Sequence, residues 1–193
     1  METKMVNIGR MILIGSTGRN SGKTTLAVEL IKKWKDKFPI IALKITTIEH
    51  RNGKCPRGGQ GCGVCANIKE NFELLEENNK SKNKDTSLLL AAGAERVYWL
   101  KCLNTHIYEG IKHFMCEIPK DTLIICESNS LRNVVMPGSF IMLKSMENNI
   151  KKSASEVISK ADVIVENDFE NSIKNLAEKI EIKKTQSDFL IKV

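Results

Sequence analysis

Aromatic residues are scarce, at 5% of the 193 positions, and no basic stretch is interleaved with stacking rings. A single-strand nucleic-acid platform needs both together, so no nucleic-acid partner is expected. Four prolines and twelve glycines exclude collagen-like and low-complexity chains. No apolar run approaches the roughly 18–20 residues of a membrane-spanning helix. The opening METKMVNIGR has no apolar signal-peptide core, so a cytoplasmic protein without a membrane partner is expected. Acidic residues are outnumbered 23 to 30, giving a net charge of +7. The excess is spread thinly along the chain, which suits a small phosphate-bearing ligand better than a polyanion.

With 41% hydrophobic and 27% charged residues, residues 1–193 fit one α/β domain. Apolar runs alternate with helical patterns. RMILIG (10–15) reads as a buried strand, and residues 21–37 place Leu26, Leu30, Ile31 and Trp34 on one helical face. Further strands are expected in IIALKIT, RVYWL, TLIICES, FIMLK, DVIVE and DFLIKV, and further helices near 86–93, 104–117, 150–160 and 169–182. This alternation predicts a mostly parallel sheet covered by helices on both faces. Residues 48–84 interrupt it: they have no sustained period and are too long for an ordinary connection, so they read as a Cys-containing insertion loop.

The strongest motif is GSTGRNSGKTT (15–25), between a strand and a helix. Phosphate binding needs backbone N–H groups that converge on the anion and a helix N-terminus that favours negative charge. Gly18 and Gly22 give the loop that freedom, with Asn20 and Ser21 between them. Lys23 is placed to reach the β and γ phosphates, and the Thr24 hydroxyl to help hold Mg²⁺. The pattern G-x-x-x-x-G-K-[ST] fails at one position, because Thr17 stands where its first glycine belongs and the glycine is displaced to Gly18. Without a ligand, the same stretch reads as a glycine-rich turn capped by Ser21.

Glu127, ending the apolar run LIIC, occupies the place of an acid that orients Mg²⁺ or a catalytic water. Asp85, before DTSLLLAAGA, reads equally as a second such carboxylate or as a helix N-cap. The expected catalytic set is therefore Lys23, Glu127 and Asp85, with Thr24, Glu127 and Asp85 near Mg²⁺. The base, guanine or adenine, stays open: N-K-x-D is not met at Asn83-Lys84-Asp85, and Asn167 and Asp168 serve as well for a strand-ending turn.

Six cysteines divide into two groups. Cys55, Cys62 and Cys65 form C-x₆-C-x₂-C in a glycine-rich stretch, a spacing that lets thiolates converge on one metal. Zn²⁺ or an iron–sulfur cluster is expected there, with His50 the nearest further ligand. A redox Cys62/Cys65 pair is the alternative. Cys102, Cys116 and Cys126 lie in apolar patterns and read as packing residues.

RNSGKTTLAVELIK, KDTSLLLAAGAERVYWL and TLIICESNSL together resemble the MobB-type P-loop proteins of molybdopterin-guanine dinucleotide biosynthesis, related to the nickel-maturation GTPases. The resemblance spans roughly residues 10–170. It implies a three-layer P-loop NTPase fold, nucleotide binding by Gly22, Lys23, Thr24 and Thr25, Asp85 and Glu127 near Mg²⁺, a homodimer, and a role in preparing a metal-containing cofactor. Ser128 replaces a frequent glycine after Glu127, and the cysteine loop is not a defining feature of that branch. The function expected first is a slow GTPase or ATPase in molybdenum-cofactor or other metallocofactor maturation, acting with a cofactor-synthesis or metalloenzyme partner. A small-molecule kinase with residues 48–84 as an acceptor lid, and a metal-binding carrier switched by nucleotide, are the alternatives.

Overall fold

The computed structural model describes residues 5–49, 68, 70–81, 84–145, 150–166, 172–186 and 188–193. In chain order it contains β1 (Val6–Ser16), α1 (Lys23–Trp34), β2 (Ile40–Ile48), β3 (Phe72–Glu76), α2 (Asp85–Ala92), β4 (Arg96–Leu103), α3 (Ile107–Glu117), β5 (Leu123–Glu127), β6 (Val135–Lys144), α4 (Lys152–Ser155), β7 (Val163–Glu166), α5 (Ser172–Lys179), β8 (Glu181–Lys184) and β9 (Phe189–Lys192). Short 3-10 turns cover 104–106, 130–133 and 158–160.

Seven strands form one mixed sheet in the order β3-β4-β2-β5-β1-β6-β7. Every neighbouring pair is parallel except β3 with β4. β1 is buried continuously from Arg10 to Gly18 of the following loop because apolar matter covers both faces of the sheet. Ile12 and Ile14 join Leu26, Leu30, Leu89 and Leu176 from α1, α2 and α5. Met11 and Leu13, pointing the other way, join Ile107, Ile111 and Phe114 from α3. The helical face expected on α1 is the one that packs: Leu26, Leu30, Ile31 and Trp34 are all buried. Its partner α5 is held at its end by the Lys33 Nζ, which donates to the carbonyls of Ala177, Glu178 and Ile180.

Two expectations are corrected. The stretch 48–84 is not wholly irregular, because Phe72–Glu76 forms β3. That strand escapes a periodicity test because FELLE does not alternate. It is held by its pairing with β4 and by Phe72 and Leu74, which pack against the core, and along it Glu73 bonds the opposite Lys101 at 3.1 Å and Glu76 meets Arg96 at 2.8 Å. DFLIKV does not add a strand to the main sheet, because β9 pairs antiparallel with β8 in a separate two-stranded sheet.

The parallel arrangement brings the C-terminal ends of β1, β2 and β5 to one edge. Ile14 is level with Glu127, and Lys44 is level with Glu127 from the other side. The chain leaves β5 on one side of β1 and returns as β6 on the other, so its direction of travel reverses across β1. Open parallel sheets place ligands outside the strand ends at such a reversal.

Candidate functional site

The loop from Thr17 to Gly22 connects β1 to α1 at that edge. Asn20 has φ 50° and Gly22 has φ 84°, so two left-handed residues turn the chain abruptly into the helix. Gly22 is the N-cap, and no side chain caps α1; Ser21, expected to do so, donates its hydroxyl to the Arg19 carbonyl. The first turn contains no acidic residue. The opening N–H groups of any helix lack intrahelical acceptors, and its dipole favours an anion there. Here no carboxylate in the first turn answers that preference.

Sequence reading overlooked the residues that shape the loop. The Asn129 side chain receives the Ser16 N–H at 2.8 Å and donates to the Ser16 carbonyl at 2.9 Å. Lys151 takes the Thr17 carbonyl through its backbone N–H and the Gly18 carbonyl through its Nζ. The Thr17 hydroxyl accepts from the Ser145 N–H at 2.8 Å. A Cβ on Gly18 would stand 2.7 Å from the Ser145 Cβ, so the displaced glycine is required by the approach of Ser145. No motif predicts these contacts, because each partner lies more than a hundred residues away in the chain.

Lys23 and Thr24 open α1. The Lys23 Nζ donates to the Ser16 hydroxyl at 2.7 Å, so the ammonium lies back over the loop. The Thr24 hydroxyl donates to Glu127 Oε2 at 3.2 Å. Thr25, the next residue, is exposed, as are Arg19 and Asn20. Glu127 is only 4% exposed, and its Oε1 has no hydrogen-bond partner. Among the described residues it is the sole carboxylate oxygen in that condition. Burial pushes the Glu127 carboxyl above the usual carboxylate range, while the charges of Lys44 and Lys23 and the Thr24 bond pull it back.

Lys44 is a further residue that sequence reading missed. It stands mid-run in IIALKIT, where one lysine gives no signal, yet it is level with Glu127 and shares its face of the sheet. Its Nζ forms an ion pair with Asp85. Asp85 is the first residue of α2; Lys84 is the N-cap, and no side chain caps the helix. The structure thus brings Lys23, Thr24, Glu127, Lys44 and Asp85 to one edge, with Asp85 reaching the group through Lys44.

The oxygen donors fit a Mg²⁺ ion. Mg²⁺ binds through one or two protein oxygens and completes its shell with phosphates and water. Glu127 Oε1 and the Thr24 hydroxyl are such donors, and no group of three or more His, Cys, Asp or Glu residues gathers among the described residues. Cys55, Cys62, Cys65 and His50 lie outside the described residues, as do Asn167 and Asp168. Cys102 and Cys126 are buried, and burial pushes the Cys102 thiol up to about 12 and the Cys126 thiol upward as well. Cys116 is exposed, contrary to the packing role expected of it.

Comparison with protein families, curated proteins and solved structures finds no match to this chain. Among the described residues, no helix is long and apolar enough to cross a membrane.

Proposed function

We propose that the chain is a P-loop protein that binds GTP or ATP with Mg²⁺ and hydrolyses it slowly in the service of metallocofactor maturation. The observation that carries this reading is the pairing of an uncapped helix start with the buried, half-satisfied Glu127 beside Lys23 and Thr24. A buried carboxylate oxygen without a partner costs stability, and such a cost is expected where a ligand completes the bonding.

In this reading the loop amides and the α1 N-terminus hold the phosphates, and Lys23 leaves Ser16 to meet the β and γ oxygens. Thr24 and Glu127 would hold Mg²⁺, and the metal would supply positive charge to the phosphoryl group in transfer. With one oxygen on the metal, the Glu127 carboxylate would use the other to orient water at the γ-phosphate. The resemblance to MobB-type proteins supports a cytoplasmic homodimer that acts on a molybdenum or other metal cofactor. Cys55, Cys62 and Cys65 supply a soft donor set for Zn²⁺ or an iron–sulfur cluster in that work, with His50 as a further ligand.

Phosphate release from GTP and ATP, measured with Mg²⁺ and no added acceptor, tests the proposal. Slow release dependent on Mg²⁺ is expected. Nucleoside diphosphate formed only with an added acceptor, the γ-phosphoryl group passing to that acceptor instead of to water, assigns a kinase. Binding without turnover, accompanied by metal transfer, assigns a nucleotide-switched carrier.

A further inference from the structure

We propose that Lys44 is the site's built-in cation, which keeps a divalent metal out until a triphosphate arrives. The inference rests on the triphosphate reading above and adds a regulator to it. The ammonium of Lys44 is tied to Asp85, and its charge acts on Glu127 from the adjacent strand. It therefore engages both carboxylates that the sequence assigns to a metal.

Charge balance gives the mechanism. Lys23 and Lys44 face the carboxylates of Glu127 and Asp85, so with Glu127 ionised these four side chains sum to zero. Mg²⁺ alone would add two positive charges beside two ammonium groups at a carboxylate only 4% exposed. Like charges brought together with little water between them repel strongly. A triphosphate carries enough negative charge to reverse that balance: it draws Lys23 forward and admits the metal with it. Lys44 then makes cation binding depend on the nucleotide, and Asp85 holds Lys44 in place.

Methionine matches the length of lysine without its charge, and the Lys44 side chain is already three-quarters buried. Manganese(II) is the probe, followed by electron paramagnetic resonance on wild type, Lys44→Met and Lys44→Arg. Each is measured without nucleotide and with non-hydrolysable GTP or ATP analogues. Wild type and Lys44→Arg are expected to bind Mn²⁺ weakly alone, and Lys44→Met at least about tenfold more tightly. Equal affinity in wild type and Lys44→Met overturns the proposal, as does Lys44→Arg behaving like Lys44→Met. Should Lys44→Met fail to fold, Lys44→Gln takes its place in the same comparison, with the same two outcomes. Mn²⁺ bound by wild type equally tightly with and without an analogue also overturns the proposal. Failure of wild type to bind any analogue overturns the triphosphate reading and the inference resting on it. Analogue binding with Mn²⁺ affinity unchanged by Lys44→Met overturns the inference alone.

Discussion

Arg10 and Glu127 are both buried ionisable groups of the central strands, and the structure treats them in opposite ways. Arg10, 8% exposed, donates its Nη1 to the Pro119 carbonyl at 2.6 Å, the Thr122 carbonyl at 2.9 Å and the Thr122 hydroxyl at 2.7 Å. It fastens β1 to the turn that leads into β5. Glu127, at the other end of β5, has one oxygen bonded to Thr24 and the other to nothing. A buried charge whose bonds are met by its own chain is structural. One left half-satisfied beside two lysines is, in the reading proposed above, where a ligand completes the bonding.

Substituting each residue separates the two roles. The largest effect is expected from Glu127→Gln: turnover should fall about a hundredfold or more while triphosphate affinity stays near wild type. Single-turnover hydrolysis set against calorimetric affinity reads this, and equal rates would make Glu127 structural like Arg10. Arg10→Met should instead leave nucleotide affinity intact and destabilise the fold by about 2–3 kcal/mol, because buried carbonyls lose their donor. Thermal unfolding should show it as a fall of several degrees. An unchanged midpoint would remove Arg10 as the clamp.

A smaller effect concerns pH. The carboxyl of Glu127 titrates above the usual range when folded, so between its unfolded and folded values the native state carries more protons than the unfolded chain. Stability from this group is complete below the unfolded value and is lost as pH rises through the folded one. Glu127→Gln should therefore be more stable than wild type at neutral pH and should lack that part of the pH dependence. Melting curves from pH 4 to 8 test this. Parallel curves for the two proteins would mean that burial of Glu127 costs nothing.

Legibility in the sequence followed the range of the forces involved. The β1 strand and the packing face of α1 are written in runs and spacings of neighbouring residues, and Leu26, Leu30, Ile31 and Trp34 are buried as their period requires. Lys23 and Thr24 stand out because a glycine-rich loop and a helix start are adjacent in the chain. Lys44, Asn129 and Lys151 were invisible for the opposite reason. Each acts on a residue brought near only by strand pairing or by the return of the chain past β6. β3 was missed because the adjacent leucines of FELLE blur its alternation, while its pairing with β4 and the packing of Phe72 and Leu74 against the core depend on distant segments. The role of Asp85 could not be assigned from its place before a helix, since its partner Lys44 lies 41 positions away.

The central claim is that the edge formed by Ser16, Lys23, Thr24 and Glu127 receives a triphosphate. Calorimetric titration of wild type and Lys23→Ala with Mg²⁺ and non-hydrolysable GTP and ATP analogues tests it most directly. Lys23 is half-buried with its ammonium on Ser16 and takes no part in the apolar core, so its removal should leave the fold intact. Wild type should bind at least one analogue, and Lys23→Ala should bind it about 10- to 100-fold more weakly, the usual range for a lost charge-assisted bond. No binding by wild type, or identical binding by the two proteins, would contradict the account.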